Sequence, residues 1–192
     1  ITNIIFPATV CSMDSQPSRK ELSHERIVAT AARAIRRGGF HGVGVADIMK
    51  EAGLTHGGFY AHFSSRNALL AEALARAGRD SADRVAQGTA VRRTRGASAL
   101  RAFVEGYLSD RHLVDIEAGC PVAALVSEMP RQAPEVREAA AQGVRGLLAA
   151  VRRALAQDAP VDSGPAIASQ LVGALQLARA LGDNAEGQAL LK

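Results

Sequence analysis

The stretch Ala52-Gly-Leu-Thr-His-Gly-Gly-Phe-Tyr-Ala-His-Phe-Ser-Ser-Arg-Asn-Ala-Leu-Leu70 decides how this chain is read. Gly53 suits the left-handed end of a helix, Leu54 is an apolar plug, and Thr55 is a good N-cap for whatever follows. The pattern predicts a short third helix from His56 to about Phe63. Its leading residues, His56, Gly57 and Gly58, are small or polar, whereas Phe59 and Phe63 are spaced to anchor a core. Ser64 and Ser65 break the chain again.

Upstream, Ile27, Ala31, Ala34 and Ile35 recur at helical spacing, with Arg26, Arg33, Arg36 and Arg37 on the other faces. They predict a first helix from Ser23 to Arg37, stopped by Gly38 and Gly39. Phe40 and Val43 lie in a glycine-punctuated link, and Val45 to Ala52 reads as a second helix burying Val45, Ile48 and Met49. Two helices joined by a tight turn, with a third packed across them, form the three-helix arrangement of DNA readers. In that geometry the exposed first turn of the second helix of the pair meets base edges. Tyr60, His62 and Arg66 then face phosphates.

Downstream, Leu69, Leu70, Ala73, Leu74, Ala77 and Val85 predict a connector helix from Arg66 to about Gln87. The Arg-, Thr- and Gly-rich stretch from Gly88 to Gly96 reads as a loop. Ala97 to about Arg111 resumes a helix, and Gly119 and Pro121 open a short apolar one ending near Met129 and Pro130. Long helices follow from Pro134 to Gln157 and from Ser163 to Leu181, with a last turn or helix around Asn184 to Leu191. The fold class is all-α. Its expected domains are a leader over 1–20, a helix-turn-helix over 21–67, and a helical ligand-binding and dimerisation domain over 68–192.

Composition agrees with this outline. Aromatics are 4% of the residues and there is no tryptophan, so helix formers dominate. A net charge of +4 and a pI near 9.6 fit a polyanionic partner without requiring one. Cys11 and Cys120 give neither a disulfide framework nor a CxxC site, which suits a reducing cytoplasm. Apolar runs are too interrupted to span a bilayer, and no membrane partner is expected. Ile1 to Ser12 is apolar and patternless and precedes Met13, and reads as a disordered leader or an upstream extension.

The string from Ala52 to Leu70 resembles the signature of the TetR family of regulators: small residue and glycine, apolar residue, Ser or Thr, then an aromatic-Tyr-x-His-Phe core and a basic residue. Gly119-Cys-Pro-Val-Ala-Ala-Leu125 and Gln170-Leu-Val-Gly-Ala-Leu-Gln-Leu-Ala-Arg179 look like segments of one C-terminal subtype of that family. The resemblance implies Thr55, His56 and Gly57 as base-side residues, Tyr60 and His62 as phosphate contacts, and Arg66 where a lysine is common. It adds Gly44 and Val45 at the start of the second helix. Gly44 departs from the family's Ser or Thr, keeping cap geometry but losing a hydroxyl. The implied protein is a homodimer on double-stranded, palindromic operator DNA, a repressor released by a small lipophilic effector.

Plainer readings stand beside these. His56 and His62 lack a partner at metal-ligand spacing, and no cofactor is expected. Tyr60 can also serve as a half-buried core aromatic. Phe103, Tyr107, Cys120, Met129 and Leu147 are candidates for a ligand cavity, though an ordinary core uses the same residues. Cys120 beside Pro121 could sense oxidants or electrophiles, or be a buried small hydrophobe. A rival of another class is a small helical enzyme or ligand carrier, but no catalytic triad, paired carboxylates or phosphate loop supports it.

Overall fold

The computed structural model describes residues 16–156 and 159–192, and among them every regular element is helical. The expected leader up to residue 15, Cys11 and Gln157 lie outside the described residues.

Helix α1 (Arg19–Gly38) begins earlier than the apolar pattern suggests because Ser18 and Glu21 form a capping box. The Ser18 hydroxyl accepts from Glu21 N at 3.2 Å and the Glu21 carboxylate accepts from Ser18 N at 2.6 Å. Helix α2 (Val45–Glu51) ends as expected. Gly53 adopts φ +69, its N–H donates to Lys50 O at 3.0 Å, and Leu54 N donates to Met49 O at 2.9 Å. This pair of bonds is a Schellman closure, and half-buried Leu54 packs on the core as its apolar contact.

The third reader element is a 3-10 helix over His56–Ala61 rather than an α-helix. Consecutive Gly57 and Gly58 disfavour an α-helical turn, and the chain closes instead through Gly58 N to Thr55 O and His62 N to Phe59 O. Thr55 sits at the N-cap with no side-chain capping bond.

Helix α3 (Arg66–Thr94) corrects the loop expected from Gly88 to Gly96. One glycine within a helix costs only about 1 kcal/mol, and here α3 has neighbours: Arg92 faces Glu105 of α4 (Ala99–Tyr107), and Thr89 and Arg93 line a cavity with Arg153 of α7 (Pro134–Ala154). Arg92 donates to Gly88 O at 3.2 Å, and the helix stops only at Gly96, φ +88. The helix expected to reach Arg111 is divided after Leu108, where the Ser109 hydroxyl caps α5 (Asp110–Val114). Helix α6 (Pro121–Leu125), a 3-10 turn over Met129–Arg131, α8 (Ser163–Leu181) and α9 (Ala185–Ala189) complete the chain.

Two main cores result. One unites α1, α2, Phe59, Phe63 and the first turns of α3 with Leu125, Met129, Val136 and Ala140. The other joins Phe103, Tyr107 and Cys120 to Val151, Leu171 and Leu175. The reader therefore has no core of its own: residues from far along the chain complete it.

Candidate nucleic-acid interface and ligand cavity

The reader's outer surface follows from its inner one. Phe59 and Phe63 are buried with ring centroids 5.6 Å apart, and this pins the 3-10 turn so that its other residues face outward. Thr55, His56 and Gly57 are exposed, and a Cβ built on Gly57 meets nothing within 4 Å. Tyr60 is 75% exposed, which removes its reading as a core aromatic, and its ring stands edge-on to Phe59 at 5.2 Å. Gly44 is exposed at the start of α2 with no side-chain cap, while Val45 leans half-buried on the core.

His62 is half-buried, 6.0 Å from the ring of His24. Burial, then the neighbouring His24 and Lys20, push its pKa down, so at neutral pH the ring presents neutral nitrogens. Its Nδ1 is buried without a partner. Lys20 is thus a cation on this face that apolar periodicity missed, and the Ser18-x-x-Glu21 cap, which extends α1 back to Arg19, is the signal that would have found it.

Arg66 departs from expectation. Its guanidinium donates to Phe40 O and, at 3.3 Å, to Val43 O, so the side chain braces the link between α1 and α2. Three further ties reach from the reader to the body. Arg36, 4% exposed, donates to Ala32 O at 2.9 Å and to Gly119 O at 3.1 Å, and burial lowers its pKa to about 10, still charged at pH 7. Glu128 accepts from Phe40 N at 3.0 Å. Arg37 pairs with Glu117 at 2.8 Å and with Glu51 at 3.1 Å.

The body holds a cavity of about 380 Å³, within the range of small-molecule sites. Phe103, Tyr107, Cys120 and Leu147 all line it, as the sequence suggested. Met129 does not: the 3-10 turn at Pro130 brings it into the core shared with the reader. Tyr107 is 1% exposed, and burial, reinforced by the neighbouring Cys120 thiol, holds its hydroxyl protonated far above the usual range. That hydroxyl, from α4, and the Thr89 hydroxyl, from α3, have no hydrogen-bond partner. His112 Nδ1 donates to Tyr107 O at 2.7 Å and its Nε2 accepts from Cys120 N at 2.9 Å. Burial lowers the His112 pKa to about 4 and fixes the neutral ring these bonds require. No group of three or more metal-ligating side chains occurs among the described residues.

An exposed turn held on two aromatic anchors, preceded by a Schellman-closed helix and braced onto a helical body, has the geometry of a helix-turn-helix. Residues 27–73 match the family model described as bacterial regulatory proteins, tetR family, and residues 96–164 match that of the tetracyclin repressor-like C-terminal domain. An uncharacterized HTH-type transcriptional regulator of Mycobacterium tuberculosis is 32% identical over 166 residues, covering 81% of this chain and 83% of the relative. The chain belongs to the TetR family, whose members are regulators and not enzymes, and this overturns the enzyme alternative.

Solved structures share the fold. A TetR transcriptional regulator from Chloroflexus aurantiacus superposes with a TM-score of 0.70 at 24% identity, covering 90% of both chains. The reduced form of NemR from E. coli gives 0.67 at 20% identity over 88% of this chain and 95% of that one. FadR from Bacillus subtilis, in complex with stearoyl-CoA, gives 0.61 at 16% identity over 88% and 93%.

Proposed function

We propose that this regulator represses transcription as a homodimer on a palindromic operator and lets go when a lipophilic small molecule enters the 380 Å³ cavity. In this reading Thr55, His56 and Gly57 read bases, and Tyr60 and His62 contact phosphates, with backbone contacts from Gly44 and Val45. The exposed Tyr60, aimed outward by a buried Phe59, is the observation that carries the DNA-binding surface.

Helix α3 supplies the coupling. Its first residue, Arg66, braces the reader, and its stretch from Gly78 to Arg93 forms one wall of the cavity. A ligand that favours a displaced α3 favours a reader in the non-binding position, and the shift is limited by the ligand's differential affinity for the two states. Dimerisation is supported by α8, which leaves Leu177 61% and Leu181 40% exposed, with open space over Gly173. Apolar residues on an outward helix face are the natural seam for a twofold mate. FadR of Bacillus subtilis was solved with an acyl-CoA, a lipophilic ligand. Cys120 is 4% exposed, which favours a reversible ligand over an oxidant sensor at that thiol.

The test is a mobility shift on the DNA upstream of the protein's own gene and on genomic fragments, across a salt series. A selective, salt-sensitive shift that Tyr60→Ala weakens supports the reading. Absence of DNA binding at every salt concentration overturns it.

A further inference from the structure

The cavity has two unlike ends. Along α3 its wall runs from Gly78 to Arg93, a rise of about 22 Å at 1.5 Å per residue. At the far end stand the buried Tyr107 hydroxyl and the Cys120 thiol, with apolar Phe103, Val122 and Leu147 along the way. At the other end α3 and α7 both finish, and each contributes an exposed arginine to the rim, Arg93 and Arg153.

These two cations are unlike their neighbours. Arg92 is occupied by Gly88 O and Glu105, and Arg152 by Ala159 O at 3.0 Å. Among the described residues neither Arg93 nor Arg153 forms an ion pair. Thr89, one helical turn before Arg93, adds a buried hydroxyl without a partner. At the inner end the Tyr107 hydroxyl, beside the Cys120 thiol, has a proton to donate, and the nearby cation, Arg179, stands outside the lining and donates to His112 O and Leu113 O. An unpaired buried donor is costly and an acceptor supplied by a ligand relieves that cost.

We infer that the cavity takes an anionic amphiphile: an acid group held by Arg93 and Arg153 at the rim, an aliphatic chain along α3, and a neutral oxygen that accepts from Tyr107 at the inner end. This deepens the regulator reading, since it takes the cavity to be the effector site.

The experiment is calorimetric titration of the full chain with decanoate, decan-1-ol and omega-hydroxydecanoate at low and high salt. The alcohol keeps the chain and loses the acid, and the hydroxy acid adds the inner oxygen. Decanoate is expected to bind about tenfold tighter than decan-1-ol at low salt, with one molecule per chain, since charge-assisted bonds are about twice as strong as neutral ones. High salt, or Arg93→Gln with Arg153→Gln, removes that preference. The hydroxy acid binds tighter still, and Tyr107→Phe cancels its advantage over decanoate.

Equal or tighter binding of decan-1-ol, an acid preference that survives loss of both arginines, or no binding of any of the three overturns the proposal. A mobility shift on the same samples separates the two readings. Selective DNA binding without an acid preference sinks the ligand class alone, whereas an acid preference without DNA binding sinks the regulator reading and leaves the ligand class standing.

Discussion

Acid should unfold this protein through His112 in a way that one substitution can isolate. The ring is held neutral between Tyr107 O and Cys120 N, and burial, with Arg179 and Arg84 opposing a further positive charge, lowers its pKa from 6.5 to about 4. In the unfolded chain the same ring takes up a proton near pH 6.5. The stability this represents is therefore complete above pH 6.5 and is lost as pH falls from there towards 4. The gap, at about 1.36 kcal/mol per pH unit, caps the loss at roughly 3 kcal/mol. The assay is urea unfolding of the wild type and His112→Gln at intervals from pH 7.5 to pH 4.5. Glutamine does not titrate, and the other histidines are common to both proteins, so the difference between the two curves belongs to residue 112. The variant is expected to be less stable at neutral pH by about 1 kcal/mol for the lost hydrogen bond, and to gain on the wild type steadily below pH 6.5. Two curves that stay parallel over the whole range would refute the reasoning.

Other expectations follow from single contacts. Gly39→Ala forces a side chain into φ +75, with its Cβ 2.5 Å from the Glu128 carboxylate, and should lower stability by about 1–3 kcal/mol in thermal melts. Gly57→Ala meets open space and should leave stability within about 0.5 kcal/mol of wild type while weakening operator binding. Arg66→Ala strands Phe40 O and Val43 O, so it should cost about 1–3 kcal/mol by urea unfolding and weaken DNA binding through a displaced reader; Arg66→Lys restores only part of both. Leu177→Arg should convert a dimer to monomer in sedimentation without loss of helical circular dichroism, because that side chain is 61% exposed in the single chain.

What the sequence disclosed depended on how local the cause was. The Gly53-Leu54-Thr55 turn was readable because one residue's left-handed φ and two short-range bonds make it. Helix α8 was readable to its ends, Ser163 and Leu181, since an apolar pattern runs its whole length. The end of α3 was not, because Gly88 looks like a breaker unless the packing of α4 and α7 beside it is known. The cavity shows the same division. Phe103, Tyr107, Cys120 and Leu147 announce themselves as bulky or reactive residues on inward faces, whereas Thr89 and Arg93 fall in the stretch read as a solvated loop. Arg66 matched its motif position, yet its hydrogen bonds span 23 and 26 residues, a distance over which pattern says nothing.

Phe40 is held by both of its backbone groups, its N–H by Glu128 and its carbonyl by Arg66. Anyone building a hybrid regulator, with this reader grafted onto another sensing domain, inherits that constraint. A splice made just after residue 67 keeps the brace but discards Glu128, along with Leu125, Met129, Val136 and Ala140 from the shared core. The transplant would carry the correct DNA-facing residues on a loosened frame. A working exchange has to move the segment around Glu128 together with the reader, so the interchangeable unit of this protein is discontinuous in sequence.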